Sequence, residues 1–143
     1  LAPDALELEI TENIALDHDD PVLASLKRLR ELGVGIAFDD FGTGYASLSL
    51  LKSYPLSRIK IDRSFVQGLL ESPRDSSVVR AIVDMARSFG LETVAEGVEG
   101  DLQRAMLRKY GCDEGQGYLF GKPAAAPAFA EAWRLGGRAR RCA

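Results

Sequence analysis

The segment Gly35-Ile36-Ala37-Phe38-Asp39-Asp40-Phe41-Gly42-Thr43-Gly44 carries the decisive pattern. A short apolar run, 35–38, meets two adjacent aspartates and then a glycine-bearing loop. Short apolar runs bounded by turn residues read as strands. Adjacent aspartates at a strand end can simply start a turn and cap the next helix. The glycines add a second option, because they let backbone N–H groups approach a ligand or adopt positive φ. On its own, a Gly-Thr-Gly decides nothing.

The same rhythm recurs on both sides. Strands are expected over 6–11, 35–38, 58–61, 92–95 and, more weakly, 117–120. In the first, Leu6, Leu8 and Ile10 alternate with Glu7, Glu9 and Thr11, a period of two. Amphipathic helices are expected between the strands. Asp20 reads as an N-cap with Pro21 at the first helical position, and Val22, Leu23, Leu26, Leu29 and Leu32 form an apolar stripe up to Gly33. A shorter helix follows Gly44 through Leu48, Leu51 and Tyr54 to Pro55. Ser72-Pro73 starts another, carrying Val78, Val79, Ile82, Val83, Ala86 and Phe89 to Gly90. A fourth covers about 101–110, ahead of Gly111. The last covers about 127–135, with Phe129 and Trp133 one turn apart. Each stripe is read as core.

Strand–helix alternation with short connections predicts βα units and a parallel sheet. An open doubly wound sheet and a (β/α)8 barrel both fit that alternation. Polar side chains at the strand ends separate them: Glu9 and Glu12, Asp39 and Asp40, Lys60 and Asp62, Glu96 and Glu99, and Gln116. In a barrel those ends converge on one mouth. In an open sheet they are strung along an edge. The expectation is therefore α/β, the carboxy-terminal part of a (β/α)8 TIM-like barrel, with about five βα units. Such a part leaves two open strand edges. The first residue is Leu1, not Met, so the chain reads as a piece of something longer, with 1–135 the partial domain and 136–143 a basic tail.

Composition bounds the partners. The 143 residues are 46% hydrophobic and 27% charged, ordinary for a globular domain, with formal net charge −3. That balance offers no bulk attraction to nucleic acid polymers or anionic membranes. No apolar run approaches the roughly 20 residues of a membrane span. The two cysteines, Cys112 and Cys142, lie in no metal-ligand pattern and fit a reducing, cytoplasmic location. The only histidine, His18, sits in a polar run and reads as a loop residue.

Glu9, Asp39, Asp40 and Glu96 in one mouth would crowd negative charge, which is costly unless protons or cations neutralise it. Hard divalent cations favour carboxylate oxygens, and two such ions a few Å apart clamp a phosphoryl group. Lys60 could hold an attacking water or offset charge on phosphorus, or could simply be a buried ion pair. Gln116 could contact a phosphate or cap its strand. The residues alone leave two chemistries open, phosphoester hydrolysis and enolate-forming proton abstraction.

Five motifs occur in order: Glu9-Ile10-Thr11-Glu12, Asp39-Asp40-Phe41-Gly42-Thr43-Gly44, Lys60-Ile61-Asp62-Arg63-Ser64-Phe65, Glu96-Gly97-Val98-Glu99, and Gln116-Gly117-Tyr118 followed by Pro123. In order and spacing the chain resembles the EAL domain family of cyclic di-GMP phosphodiesterases, over essentially its whole length. The resemblance implies a (β/α)8 barrel that hydrolyses cyclic di-GMP to linear pGpG with two ions, Mg²⁺ or Mn²⁺. It implies that Glu9 is a first-metal ligand, Asp39 a ligand shared by both metals and Asp40 a second-metal ligand. Lys60 then resembles the residue that contacts the nucleophilic water, and Glu96 lies beside the metals and that water. Gln116 lies in the same substrate site. Glu12 resembles a glutamate that braces the loop after Asp40, a loop tied to metal binding and dimerisation. Glu99 is expected to hold the turn after its strand. The family's Glu-Ala-Leu motif, its metal-binding asparagine and its guanine-binding arginine fall upstream of Leu1. The resemblance also implies upstream sensory or signalling domains and a homodimer. The alternative class is a non-catalytic cyclic di-GMP receptor, or a regulatory and dimerisation module.

Overall fold

A computed structural model of the protein describes residues 2–11, 20–44 and 48–134. After a 3₁₀ turn at Pro3–Ala5, the elements are β1 (Glu7–Ile10), α1 (Asp20–Glu31), β2 (Gly35–Phe41), α2 (Leu48–Ser53), β3 (Arg58–Ile61) and α3 (Arg63–Gly68). They continue with α4 (Pro73–Ser88), β4 (Glu92–Glu96), α5 (Asp101–Tyr110), β5 (Glu114–Gln116) and α6 (Ala126–Arg134).

All five strands are parallel, and their order in the sheet is their order in the chain. A doubly wound sheet reverses direction at a switch point. A sequential parallel order with right-handed crossovers keeps every helix on one face, which is the geometry of a barrel wall. The outer face is apolar: Ile10, Ile36, Phe38, Ile59, Ile61 and Ala95 pack with Leu26, Leu51, Val66, Val79, Val83 and Leu107 from the helices. Phe38 and Phe41 meet edge to face, with ring centroids 5.6 Å apart.

Alternation places the other side chains on the inner face, and there they are largely charged. Glu7 and Glu9, Asp39, Arg58 and Lys60, Glu92 and Glu96, and Glu114 all turn inward and meet one another there. Interiors of such barrels are usually filled with branched apolar residues. This one is lined by ion pairs.

Four sequence expectations need correction. The fifth strand is Glu114–Gln116, ahead of the expected 117–120. Leu119 and Phe120 are apolar, but the backbone turns at Gly117, and Leu119 N–H donates to the Val98 carbonyl (3.0 Å) instead of extending the ladder. A Cβ on Gly117 would lie 2.3 Å from that same oxygen, so only glycine permits the approach. Helix α3 was not anticipated; six residues are too few to show a period. Phe129 and Leu32, assigned to core stripes, are 57% and 61% exposed. Strand β2 runs on to Phe41, through the aspartates, because of a bulge described below. His18 and Cys142 lie outside the described residues. Cys112 is buried, as a small packing residue would be.

Candidate cation-binding and active site

The site lies at the carboxyl ends of the strands. Phe38 pairs with Ile59 and Phe41 with Ile61, so β2 advances by one more residue than β3 over this interval. That extra residue is a bulge, and it falls on Asp39-Asp40. Asp40 takes φ +53°, the left-handed region, which aspartate tolerates better than most side chains. Without the bulge, period-two alternation would send adjacent aspartates to opposite faces. With it, oxygens of Asp39 and Asp40 lie with one of Glu96 in a group whose members are all within 4.8 Å of one another. The loop beyond is pinned by the Thr43 hydroxyl, which donates to the Asp40 carbonyl at 2.9 Å. Gly42, at φ +100°, leaves room for the Phe65 ring, which a Cβ would meet at 3.0 Å.

Lys60 stands at the centre. Its Nζ lies 2.7 Å from Glu9 Oε1, 2.9 Å from Asp39 Oδ1 and 2.8 Å from Glu96 Oε1, with 7% of the side chain exposed. Burial works to lower its pKa. The contacts with Glu9, Glu96 and Asp39 outweigh that and hold it well above the ordinary lysine range. Lys60 is therefore a permanent cation near neutral pH.

Asp62 was noted at a strand end but given no role in the site, and the structure gives it one. It caps α3 by accepting from the Ser64 N–H at 3.0 Å, and it also accepts from the Ser64 hydroxyl. Burial raises the Asp40 carboxyl pKa, and the negative charges of Asp39 and Asp62 raise it further, as does a hydrogen bond shared with Asp62. For Asp62 itself burial again acts upward. The hydrogen bonds from Ser64 and Arg63 outweigh it and hold the carboxyl below the ordinary value. The signal in the sequence was the Asp-x-Ser spacing of an N-cap.

The remaining expected residues are placed as follows. Gln116 ends β5 directly opposite Glu96 and is exposed at the mouth. Glu12 lies outside the described residues. The turn after β4 is held by Gln103, whose Oε1 accepts from the Glu99 and Gly100 N–H groups at 2.8 and 3.0 Å, while the Glu99 side chain is exposed.

The donor set suits a hard divalent ion, being all carboxylate oxygen. Asp39 Oδ1 is buried and accepts no hydrogen bond of normal geometry, although Lys60 stands 2.9 Å away. Buried acceptors are rarely left so, and Asp39 also brings an oxygen into the group it forms with Asp40 and Glu96, where a cation could be shared.

A sequential parallel barrel wall with a carboxylate cluster and a buried lysine at the carboxyl ends of its strands places the chain among TIM-type barrels, whose sites are built at that mouth. Residues 1–123 match the EAL domain family model, and the chain belongs to that family. It is 47% identical over 138 residues to the cyclic di-GMP phosphodiesterase NbdA of Pseudomonas aeruginosa, covering 94% of this chain and 18% of NbdA. The PaMucR phosphodiesterase, solved in complex with c-di-GMP, superposes with a TM-score of 0.84 at 45% identity, covering 90% of this chain and 52% of that one. Klebsiella pneumoniae BlrP1, solved with manganese and cyclic di-GMP, superposes at 0.79 with 35% identity, covering 87% and 32%. The chain thus spans well under two thirds of the relatives it matches. The fold is part of an EAL-type TIM barrel.

Proposed function

We propose that the EAL domain to which this chain contributes hydrolyses cyclic di-GMP to linear pGpG with the help of two divalent ions, Mg²⁺ or Mn²⁺. The observation that carries the reading is the convergence of Glu9, Asp39 and Glu96 on Lys60, with Asp40 brought alongside by the bulge. Glu9, Asp39, Asp40 and Glu96 would hold the ions, with Asp39 shared. The ions when bound polarise the phosphoryl group and activate water near neutral pH.

The chain's own residues do the rest. Lys60 stays protonated, so it acts as a donor and a positive charge, not as a base. It is placed to orient the attacking water and to offset charge growing on the phosphoryl oxygens. Glu96, held against Lys60 at 2.8 Å, would take the proton from that water as the P–O3′ bond breaks, and the freed 3′ oxygen would take up a proton to leave as the hydroxyl. Gln116, across from Glu96, would donate to the substrate phosphate. Glu12 would brace the loop after Asp40. The large share of each relative that lies outside the matched region fits attached sensory or signalling domains. A homodimer and a cytoplasmic location belong to the same proposed reading.

The test is turnover of cyclic di-GMP by the full-length protein with Mg²⁺ or Mn²⁺, read as appearance of pGpG. Tight binding of cyclic di-GMP without product, with both ions bound, would reject hydrolysis in favour of a receptor.

A further inference from the structure

Below the Lys60 cluster lies a second ionic layer that the proposed reaction does not use. Arg58 is two residues before Lys60 on β3, so both point to the barrel interior, roughly 7 Å apart along the strand. Its Nη1 lies 3.2 Å from Glu7 Oε2 on β1 and 3.6 Å from Glu114 Oε2 on β5, and its Nη2 lies 2.7 Å from Glu92 Oε2 on β4. Reaching Glu7 requires passing over β2, where the inward residues are Gly35 and Ala37. A Cβ on Gly35 would already meet Glu7 Oε2 at 3.3 Å. Small residues on β2 are what let one guanidinium reach from β3 to β1.

The two layers share β1, β3 and β4. β1 sends Glu7 to Arg58 and Glu9 to Lys60, while β4 sends Glu92 to Arg58 and Glu96 to Lys60. The lower layer therefore fixes how far β1 and β4 slide against β3, and so where Glu9 and Glu96 stand. The difference between the cations matters. Lysine is a point charge, and its carboxylate partners are the oxygens a divalent ion would share. The planar guanidinium is a fork that spans several strands and has no role with the ion. Arg58 Nε is buried without a hydrogen-bond partner, so the fork is held by its two terminal nitrogens.

We infer that Arg58 is a positioning residue that holds β1, β4 and β5 in register from beneath, so that Glu9 and Glu96 stand around Lys60 at the mouth, beside the carboxylates of β2. This rests on the ion-dependent reading of the upper cluster. The experiment compares the full-length wild-type protein with Arg58→Met and Arg58→Lys. It reads Mn²⁺ affinity by electron paramagnetic resonance, the melting temperature, and kcat and KM for cyclic di-GMP. Arg58→Met is expected to weaken Mn²⁺ binding about tenfold, as loss of an outer support of a metal site does. It is expected to lower kcat about tenfold with KM within about twofold. Arg58→Lys should lie between. A lowered melting temperature with unchanged Mn²⁺ affinity and kcat would make Arg58 merely structural and overturn the inference. If Arg58→Met does not fold, Arg58→Lys decides by the same readings, and wild-type values there reject the role. If the wild-type protein shows no turnover, the hydrolytic reading fails, and Mn²⁺ affinity alone decides for Arg58.

Discussion

Lys60 is one ammonium among three carboxylates. Removing its charge while keeping its bulk separates its two roles. Lys60→Met is expected to lower turnover by about 10²–10³, the cost of losing one donor to developing charge. Mn²⁺ affinity should be kept or strengthened, because Glu9, Asp39 and Glu96 no longer share their oxygens with an ammonium. Steady-state rates and calorimetric Mn²⁺ titration check both. A loss of rate that tracks a loss of Mn²⁺ binding would place Lys60 in the scaffold instead. The residue types of this cluster were legible in the sequence as polar groups at strand ends. Their distances were not, since they depend on strand register and, for the aspartates, on a one-residue bulge that apolar patterning does not reveal.

Helix α3 and strand β2 show what a short element can do. Asp62 follows the Lys60 strand, caps α3, and its charge helps to raise the Asp40 pKa. Its own pKa lies below the ordinary 3.8. A depressed acid contributes stability that is full above its unfolded value and is lost as pH falls through its folded value. Asp62→Asn should therefore lower stability at about pH 6 and make little difference well below about pH 3, as read by urea midpoints. An equal deficit at both would mean that the charge is not what stabilises the cap. Helix α3 was missed in the sequence because six residues show no period, yet its cap was visible in Asp62-Arg63-Ser64. The turn after β5 is the opposite case: Tyr118-Leu119-Phe120 looked like a strand by apolarity, and the contact between Gly117 and Val98 made it a turn.

At the scale of the molecule, the described sheet has β1 and β5 paired on one side only. Its charged inner face completes a wall of which this chain forms five strands. Unpaired parallel edges template association. The 143-residue chain by itself is expected to associate with rising concentration, measured by light scattering during size exclusion. A monomer with one cooperative melt would contradict this. Among the described residues no helix is long and apolar enough to cross a membrane.

The sequence by itself determined the barrel class, because strand–helix alternation and a polar residue at each strand end are one-dimensional patterns. It also named the residues at the mouth, since motif order survives without coordinates. Only the tertiary structure decided that Asp39 and Asp40 act on one side of the sheet, which takes a bulge and a positive φ. It alone revealed the second ionic layer at Arg58. Glu7, Arg58, Glu92 and Glu114 lie far apart in the chain, and only strand register brings them together.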